Sequence, residues 1–358
     1  MNGASRSQKT TSIRSRFGLL IQVLGVAGGF ALTGFLITRI HITALEYALS
    51  EIGYGIVFLV LLHLVSILLD SQGWYIALHR LRARLGRGLV ASAACRRNAV
   101  QTLVPLGASG FVSGYRTLRH HHVQPHTALS SLIFETTITT AGELFLLLTS
   151  AVMVFRGASP TGRSTFLDYA PIAGFLAAVL AAALVLQLRG KVFDTLGRGL
   201  DKLGPSTRRS SWSRFPLRVK HGLWRLYRSP AAWGWGFLWQ LASLLAGAGA
   251  VWLAFFLIHA QVSFMVALFF LCLARALRSF GFLIPSAWGL QEGLFILLAP
   301  LAAVSPTAGL TVSLILRVRD FFFAFATVAV GRFAWGWHSE KNSPPPLPEV
   351  ARGSLVDD

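Results

Sequence analysis

The chain has 358 residues, of which 54% are hydrophobic and 13% are charged, and its formal net charge is +19. Residues 17–38 and 231–258 contain no charged side chain, and each stretch is longer than the roughly 18 apolar residues that indicate a transmembrane helix, which excludes a soluble protein. Because the basic residues fall between apolar spans, they indicate positive-inside topology and contact with anionic lipids, not nucleic-acid binding. The sequence predicts an all-α polytopic membrane protein with about eight transmembrane segments, some of them broken.

The first part of the chain combines a basic segment with two predicted spans. Residues 1–16 contain only basic ionisable side chains, which predicts a cytoplasmic N-terminal tail followed by a retained first span at 17–38. A second span is predicted at 52–78, and a basic cytoplasmic link follows it at 79–87.

The apolar segment 99–115 is interrupted by Pro105 and several glycines, and arginines flank it on both sides. It is too short and too broken to cross the bilayer as one helix. Because it begins and ends on the basic side, we expect a re-entrant hairpin; an amphipathic helix lying at the interface is the alternative.

The next predicted span, 127–155, carries Glu135 and Glu143 on one helical face. Two carboxylates on a membrane helix require cationic partners, and we expect arginines of the second half to supply them. His120–His122 and His126 precede the span, but three adjacent histidines cannot all face one ion from a helix. The sequence therefore predicts a polar, lipid-facing loop there, with no metal and no cofactor.

A single membrane domain, 17–337, is expected to consist of two halves, 17–188 and 229–337, separated by a basic cytoplasmic loop at 189–228. Before that loop, the sequence predicts an outside loop at 157–168 and a span at 169–188. The later elements are predicted as a span at 231–258, a helix from Phe264, a break at Pro285–Gly289, a short helix at 291–303, a helix from about 309 to an aromatic belt at 335–337, and a disordered cytoplasmic tail at 338–358.

Six ionisable residues lie in the otherwise apolar stretch 264–325. Each costs about 2.5–3.5 kcal/mol at membrane depth on insertion scales, so such residues are kept mainly where they face one another, a cavity or a polar ligand. They form either a structural ion-pair network that fixes helix packing or a site that handles something polar or anionic. The six are Arg275, Arg278, Glu292, Arg317, Arg319 and Asp320.

The two halves resemble each other at their broken segments. RRNAVQTLVPLGASG in the first half and RALRSFGFLIPSAWG in the second both place an arginine before an apolar run that ends at a proline, with glycine close behind. Corresponding Pro/Gly-broken segments are typical of transporters with inverted repeats, whose site lies at the repeat interface. Chance similarity between apolar segments is the alternative to an internal inverted repeat.

The chain resembles the flippase-like integral membrane family, whose best-known member is the transmembrane portion of lysylphosphatidylglycerol synthase. PSAWGLQEG followed by RVRD is similar to the bacterial membrane proteins associated with hopanoid biosynthesis. The motif residues that carry the resemblance are Pro285, Gly289, Gln291, Glu292, Gly293, Arg317, Arg319 and Asp320, and more weakly Asn98 and Pro105. The family often places an acid after the first prolyl-glycyl turn, where this sequence has Ala108, Ser109 and Gly110.

This resemblance implies lipid translocation, or support of lipid biosynthesis, in the bacterial cytoplasmic membrane. No soluble aminoacyl-transferase segment follows the spans, so the expected protein is not an enzyme. In the leading hypothesis, Arg275, Arg278 and Arg317 hold an anionic lipid headgroup, and Glu292 and Glu135 compensate the arginines when the site is empty.

Membrane lipids are therefore the predicted partners. The alternatives are a scaffold that recruits lipid-biosynthesis enzymes and a membrane-embedded transferase. The candidate substrate-binding residues are Arg275, Arg278, Glu292, Gln291, Arg317, Arg319, Asp320, Glu135, Glu143, Asn98, Pro105, Pro285 and Gly289.

Overall fold

A computed structural model of the chain describes residues 52–104, 109–157, 160–189, 209–279 and 289–334, and all regular secondary structure in these ranges is helical. The predicted all-α class is thus confirmed. The predicted N-terminal tail and first span, the prolines Pro105 and Pro285, and the C-terminal tail lie outside the described residues.

The described helices follow the predicted spans closely. They are α1 (Gly55–Arg80), α2 (Arg87–Leu103), α3 (Ser109–His120), α4 (Pro125–Gly157), α5 (Pro160–Arg189), α6 (Arg209–Tyr227), α7 (Pro230–Leu257), α8 (Phe264–Ser279), α9 (Leu290–Leu298), a short 3-10 helix (Ala299–Ala302) and α10 (Pro306–Ala334). Among these, α1, α4, α7 and the 166–188 part of α5 are long and apolar enough to cross a membrane. The protein is a polytopic membrane protein.

Two predicted loops are wrong because helices occupy them. The outside loop expected at 157–168 is mostly the start of α5, and Pro160 suits a first helical turn because its missing N–H would have no partner there. The basic loop expected at 189–228 contains α6, which packs against α4 through the buried side chains of Val219 and Leu223.

The broken segment at 99–115 is helical on both sides of the undescribed residues 105–108. The structure extends α2 to Leu103 and starts α3 at Ser109, so the first half contains a pair of short helices that pack on each other. In addition, α2 contacts α1 and α10, so this helix packs inside the bundle.

The two halves meet where α1 packs along α7. Ser66 contacts Ser243 near the middle of both helices. About two helical turns later in α1, Gly73 approaches Gly236, which lies about two turns earlier in α7, so the two helices run antiparallel. A Cβ atom added to Gly236 would lie 2.8 Å from Ile138 Cδ1, so a larger residue here would require the Ile138 side chain on α4 to move. Small residues let membrane helices approach closely. Close approach matters in lipid because packing and hydrogen bonds, not the hydrophobic effect, hold the helices together there.

An internal repeat relates the halves. Ser66 and Ser243 are 177 residues apart. The same shift carries α1, α2 and α4 onto 232–257, 264–280 and 302–334, which nearly coincide with α7, α8 and α10. The helix contacts also agree with this relation. The contact of α2 with α10 corresponds to the contact of α8 with α4, because the shift relates α2 to α8 and α4 to α10. Together with the antiparallel α1–α7 contact, this is the arrangement of an inverted repeat.

Candidate functional site

A partly buried arginine of α2 is held by two carboxylates. Arg97, on α2, donates through both terminal nitrogens to the carboxylate of Glu135 on α4, and its Nη2 lies 3.3 Å from Asp70 Oδ2 on α1. The Arg97 guanidinium also stacks over the Trp74 ring at 5.1 Å. Bidentate pairing and stacking on an aromatic face are the geometries that favour arginine over lysine. We call Asp70, Trp74, Arg97 and Glu135 the Arg97 cluster.

A second ion pair joins the two halves. Arg275 on α8 donates from Nε to Glu143 Oε1 on α4 at 2.7 Å. The Glu143 side chain is buried at 5% exposure, whereas Arg275 retains 31%. The sequence prediction that second-half arginines partner the acids of α4 is confirmed for Glu143 and wrong for Glu135, whose partner is Arg97.

Glu292 fixes the start of α9 and binds α10. Its side chain is fully buried, and one carboxylate oxygen accepts the Arg317 Nε–H at 2.6 Å while the other accepts the Gly289 N–H at 2.8 Å. Gly289 has φ 78°, in the left-handed region that favours glycine, so its identity is required for this cap. The neighbouring Gln291 is buried and donates to Ser313 Oγ at 3.2 Å, which ties α9 to α10.

A third group of polar residues lies where α10 meets α1 and α2. Arg319 donates to Asp320 Oδ1 from Nη2 at 2.6 Å and from Nε at 3.0 Å. The same carboxylate oxygen lies 3.8 Å from His63 Nε2, and that nitrogen is 3.3 Å from Asn98 Oδ1. Asp320 thus connects α10 to α1 and, through His63, to α2.

Arg278 differs from the other arginines of the site. Within the described residues it makes no hydrogen bond and no ion pair, and its side chain is exposed. It interacts electrostatically with Asp320, but also with three further arginines of the second half, Arg275, Arg317 and Arg319. Arg275, Arg317 and Arg319 repel Arg278, although each of them contacts a carboxylate.

These groups are linked electrostatically, since Asp70 of the Arg97 cluster interacts with Arg275, and Arg275 interacts with Arg278; we call the linked set the charged chamber. Carboxylates and guanidinium groups are equal in number but unevenly placed. Arg97 has two carboxylates beside it, whereas Arg278 and Arg319 share Asp320. The members of the charged chamber are Arg97, Arg275, Arg278, Arg317, Arg319, Asp70, Glu135, Glu143, Glu292 and Asp320.

The repeat also relates the polar contacts that cross between the halves. The 177-residue shift that superposes the helices carries Asn98 onto Arg275 and Glu143 onto Asp320. The direct Arg275–Glu143 ion pair on one side thus corresponds to a weaker contact on the other, in which His63 stands between Asn98 and Asp320. The two cross-half contacts have equivalent positions and unequal strength.

The structure brings most of the predicted site residues together, with two kinds of exception. Gln291 points into the α9–α10 contact and not toward the chamber, and Pro105 and Pro285 lie outside the described residues. Sequence analysis missed Asp70 and Arg97, because Arg97 follows Arg96 and was interpreted as a basic flank. An acid within an otherwise apolar span was the available signal, since Asp70 needs a buried cation.

Comparison with known proteins identifies a family. The family model described as the lysylphosphatidylglycerol synthase TM region matches residues 22–327. No curated protein and no solved structure shows significant similarity to the chain.

The family match corrects one prediction. We expected a protein that is not an enzyme, but the matched family is named after a synthase, so a purely non-enzymatic assignment does not hold, although the matched region is the membrane part. The match extends from residue 22, outside the described residues, to residue 327 in the last third of α10, and it includes every member of the charged chamber. The chain belongs to the family of the lysylphosphatidylglycerol synthase transmembrane region.

Proposed function

We propose that the protein binds the anionic headgroup of a membrane lipid in the charged chamber and carries it across the bilayer. The observation that supports this most directly is Arg278, a guanidinium that is accessible, has no hydrogen-bonding partner within the described residues and lies among other arginines. A charge at membrane depth is costly unless it is compensated, and a phosphate would compensate it through two parallel hydrogen bonds.

The other arginines have a different role in this proposal. Arg97 is bound by two carboxylates and Arg317 by Glu292, so these pairs stabilise the walls of the chamber. Of the headgroup contacts predicted from the sequence, we retain Arg278 as the primary one. Arg275 joins it when its contact with Glu143 loosens, since 31% of its side chain is exposed.

The inverted repeat supports alternating access. In such folds, two halves rock against each other around a central site, and the repeat makes the two end states structurally equivalent. The Arg275–Glu143 pair would hold one cross-half contact closed, while the weaker Asn98–His63–Asp320 contact on the opposite side opens more easily. Binding of a phosphate at Arg278, next to both contacts, would change their relative stability.

Substrate, location and orientation follow from this proposal as predictions. We propose that both termini lie in the cytoplasm, which the basic segment 1–16 supports. We also propose a bacterial cytoplasmic membrane and a hopanoid or an anionic glycerolipid as cargo, which the motif resemblance supports. If the site recognises charge, phosphatidylglycerol will move and a neutral hopanoid will not.

The test is headgroup transfer in liposomes containing the purified full-length chain. Labelled phosphatidylglycerol, phosphatidylethanolamine and a hopanoid are compared for the wild type, Arg278→Gln and Arg278→Lys. Arg156→Gln, which removes an exposed arginine at the end of α4, is the matched control. We expect Arg278→Gln to lose transfer of phosphatidylglycerol. Arg278→Lys should retain a part of it, because lysine keeps the charge but cannot form the two parallel hydrogen bonds that a guanidinium forms with phosphate.

Other outcomes would assign other functions. Unchanged transfer in Arg278→Gln, or equal transfer of all three lipids by every variant, removes the proposal. Mass spectrometry of the recovered lipids detects covalent change, which would indicate a transferase. Absence of transfer by the pure wild-type protein, together with a co-purifying lipid-modifying enzyme, would indicate a scaffold.

A further inference from the structure

A second basic site lies away from the charged chamber, in a cavity of about 380 Å³ between α6, the first turn of α4 and the link after α1. Its polar lining includes Arg218, His221 and Arg225 of α6 and His126 of α4. Leu81 and Leu217 contribute apolar walls. The site shares no residue with the chamber described above.

The charge of this groove is not compensated by nearby acids. Neither α6, nor the first turn of α4, nor the link 81–86 contains an aspartate or glutamate. Arg218, His221 and Arg225 recur at helical spacing and are exposed, and none of them makes a hydrogen bond or an ion pair within the described residues. Arg218 also interacts electrostatically with His126 across the groove. An anion is the ligand that such a set selects.

The groove is built by close contact between α6 and the Ser130 side chain of α4. A Cβ atom on Gly222 would lie 2.6 Å from Ser130 Oγ, so α6 approaches α4 as closely as it does only because residue 222 is glycine. Ser130 Oγ donates to the Val219 carbonyl at 3.0 Å and holds α6 in this position. The buried Leu223 and Leu226 pack on the opposite side, which leaves the basic side chains facing outward.

Exposed apolar residues on the same helix indicate what surrounds the groove. Leu217 and Trp224 are 54% and 49% exposed, and the Arg228 guanidinium stacks over the Trp224 ring at 5.0 Å. A helix that exposes both apolar and basic side chains, with tryptophan among them, is typical of the headgroup level of a membrane. A ligand in this groove would have its acyl chains beside Leu217 and its charge beside the arginines.

We propose that this groove binds the phosphate group of an anionic membrane lipid at the basic end of the helix bundle. The guanidinium groups of Arg218 and Arg225 contact the phosphate oxygens, and His126 and His221 donate further hydrogen bonds. The apolar wall at Leu217 favours a lipid over a free phosphate. This site is independent of headgroup transfer through the chamber.

The test compares lipid retention by the full-length chain in nanodiscs of phosphatidylcholine mixed with phosphatidylglycerol. We expect the double variant Arg218→Gln/Arg225→Gln to bind phosphatidylglycerol about tenfold more weakly, since it loses charge-assisted hydrogen bonds. Arg218→Lys/Arg225→Lys should keep part of the affinity. The control, Arg156→Gln/Arg163→Gln, removes the same charge from the α4–α5 end and should bind as the wild type does.

Two further arms make the outcome decisive. The difference in phosphatidylglycerol retention between the glutamine double variant and the wild type should stay the same when both also carry Arg278→Gln, which separates this site from the chamber. Calorimetry with inorganic phosphate should show no binding at concentrations where the lipid saturates. Equal lipid retention in the glutamine double variant and the wild type overturns the proposal, and so does phosphate binding as strong as that of the lipid. A monodisperse elution profile confirms that each variant is folded.

Discussion

Ser66 and Ser243 donate to each other's backbone carbonyls, at 2.9 Å and 2.8 Å, where α1 crosses α7. Their hydroxyl oxygens lie 3.1 Å apart, and both side chains are buried. Because the two residues are related by the shift that relates the halves, this reciprocal contact lies on the pseudo-two-fold axis of the repeat. Reciprocal hydrogen bonds thus join the two halves at the centre of the α1–α7 contact.

Removing these hydroxyls should loosen the centre of the α1–α7 contact. We expect Ser66→Ala and Ser243→Ala each to lower the free energy of unfolding by about 0.6–1.7 kcal/mol, the range measured for hydrogen bonds between membrane helices. The double variant should lose less than the sum, because each hydroxyl also contacts the other. Thermal unfolding in detergent measures the cycle. Additive losses would show that the two bonds are independent, and Ser92→Ala, whose hydroxyl makes no hydrogen bond within the described residues, is the control.

The Arg97 cluster should be required for folding. Arg97→Met would leave Glu135 and Asp70 buried without their guanidinium, and breaking a buried pair from one side costs about 3–5 kcal/mol. We expect poor expression and a strongly lowered unfolding temperature. The adjacent Arg96 is exposed, so Arg96→Met is a control with the same chemistry one residue away. If Arg97→Met is stable and fails only in lipid transfer, then Arg97 contacts the substrate and does not serve mainly to stabilise the bundle.

How far the sequence predicts this architecture depends on the kind of contact. Long apolar runs predict α1, α4 and α7 to within a few residues, although α1 carries Asp70 and α4 carries Glu135 and Glu143, because a helix satisfies every backbone hydrogen bond within the span. Lysine and arginine density in 189–228 concealed α6, although Val219, Leu223 and Leu226 recur at helical spacing and are buried. An apolar stripe within a basic segment was the signal that predicts a helix at the membrane surface.

The partners of the buried charges are less predictable than the helices that carry them. Glu143 pairs with Arg275, which lies 132 residues away in the sequence, and Glu135 pairs with Arg97, which lies 38 residues away. Only the packing of α2 and α8 against α4 determines which arginine each carboxylate contacts. Two candidate arginines per acid were available from the sequence. Their assignment is a tertiary property, as is the accessibility that distinguishes Arg278 from Arg317.

Glu292 and Arg278 should respond differently to neutralisation, although both lie in the second-half motif region. Glu292→Gln removes the carboxylate that Arg317 contacts and weakens the cap on Gly289, so we expect a stability loss on the order of 3 kcal/mol. Arg278→Gln removes an exposed charge that makes no ion pair within the described residues, so its unfolding temperature should stay close to the wild-type value. If Arg278→Gln unfolds as easily as Glu292→Gln, then Arg278 is a structural residue and not a ligand contact.

The Arg275–Glu143 pair can be tested with the native cysteines as reporters. Cys272 is fully buried one turn before Arg275 on α8, and Cys95 is the other cysteine of the chain. If the pair holds the two halves closed, Arg275→Gln should increase the rate at which a thiol reagent modifies Cys272 several-fold, because opening the α4–α8 contact exposes the thiol.

The measurement uses a Cys95→Ala background, in which Cys272 is the single reporter, and Arg156→Gln as the charge-matched control. Adding phosphatidylglycerol should raise the modification rate of Cys272 in the wild type if headgroup binding at Arg278 competes with the closed contact. A modification rate that neither Arg275→Gln nor the lipid changes would mean that the ion pair stays closed during transport. Arg275 would then stabilise the bundle in the way that Arg97 does, and movement would have to occur at the Asn98–His63–Asp320 contact instead.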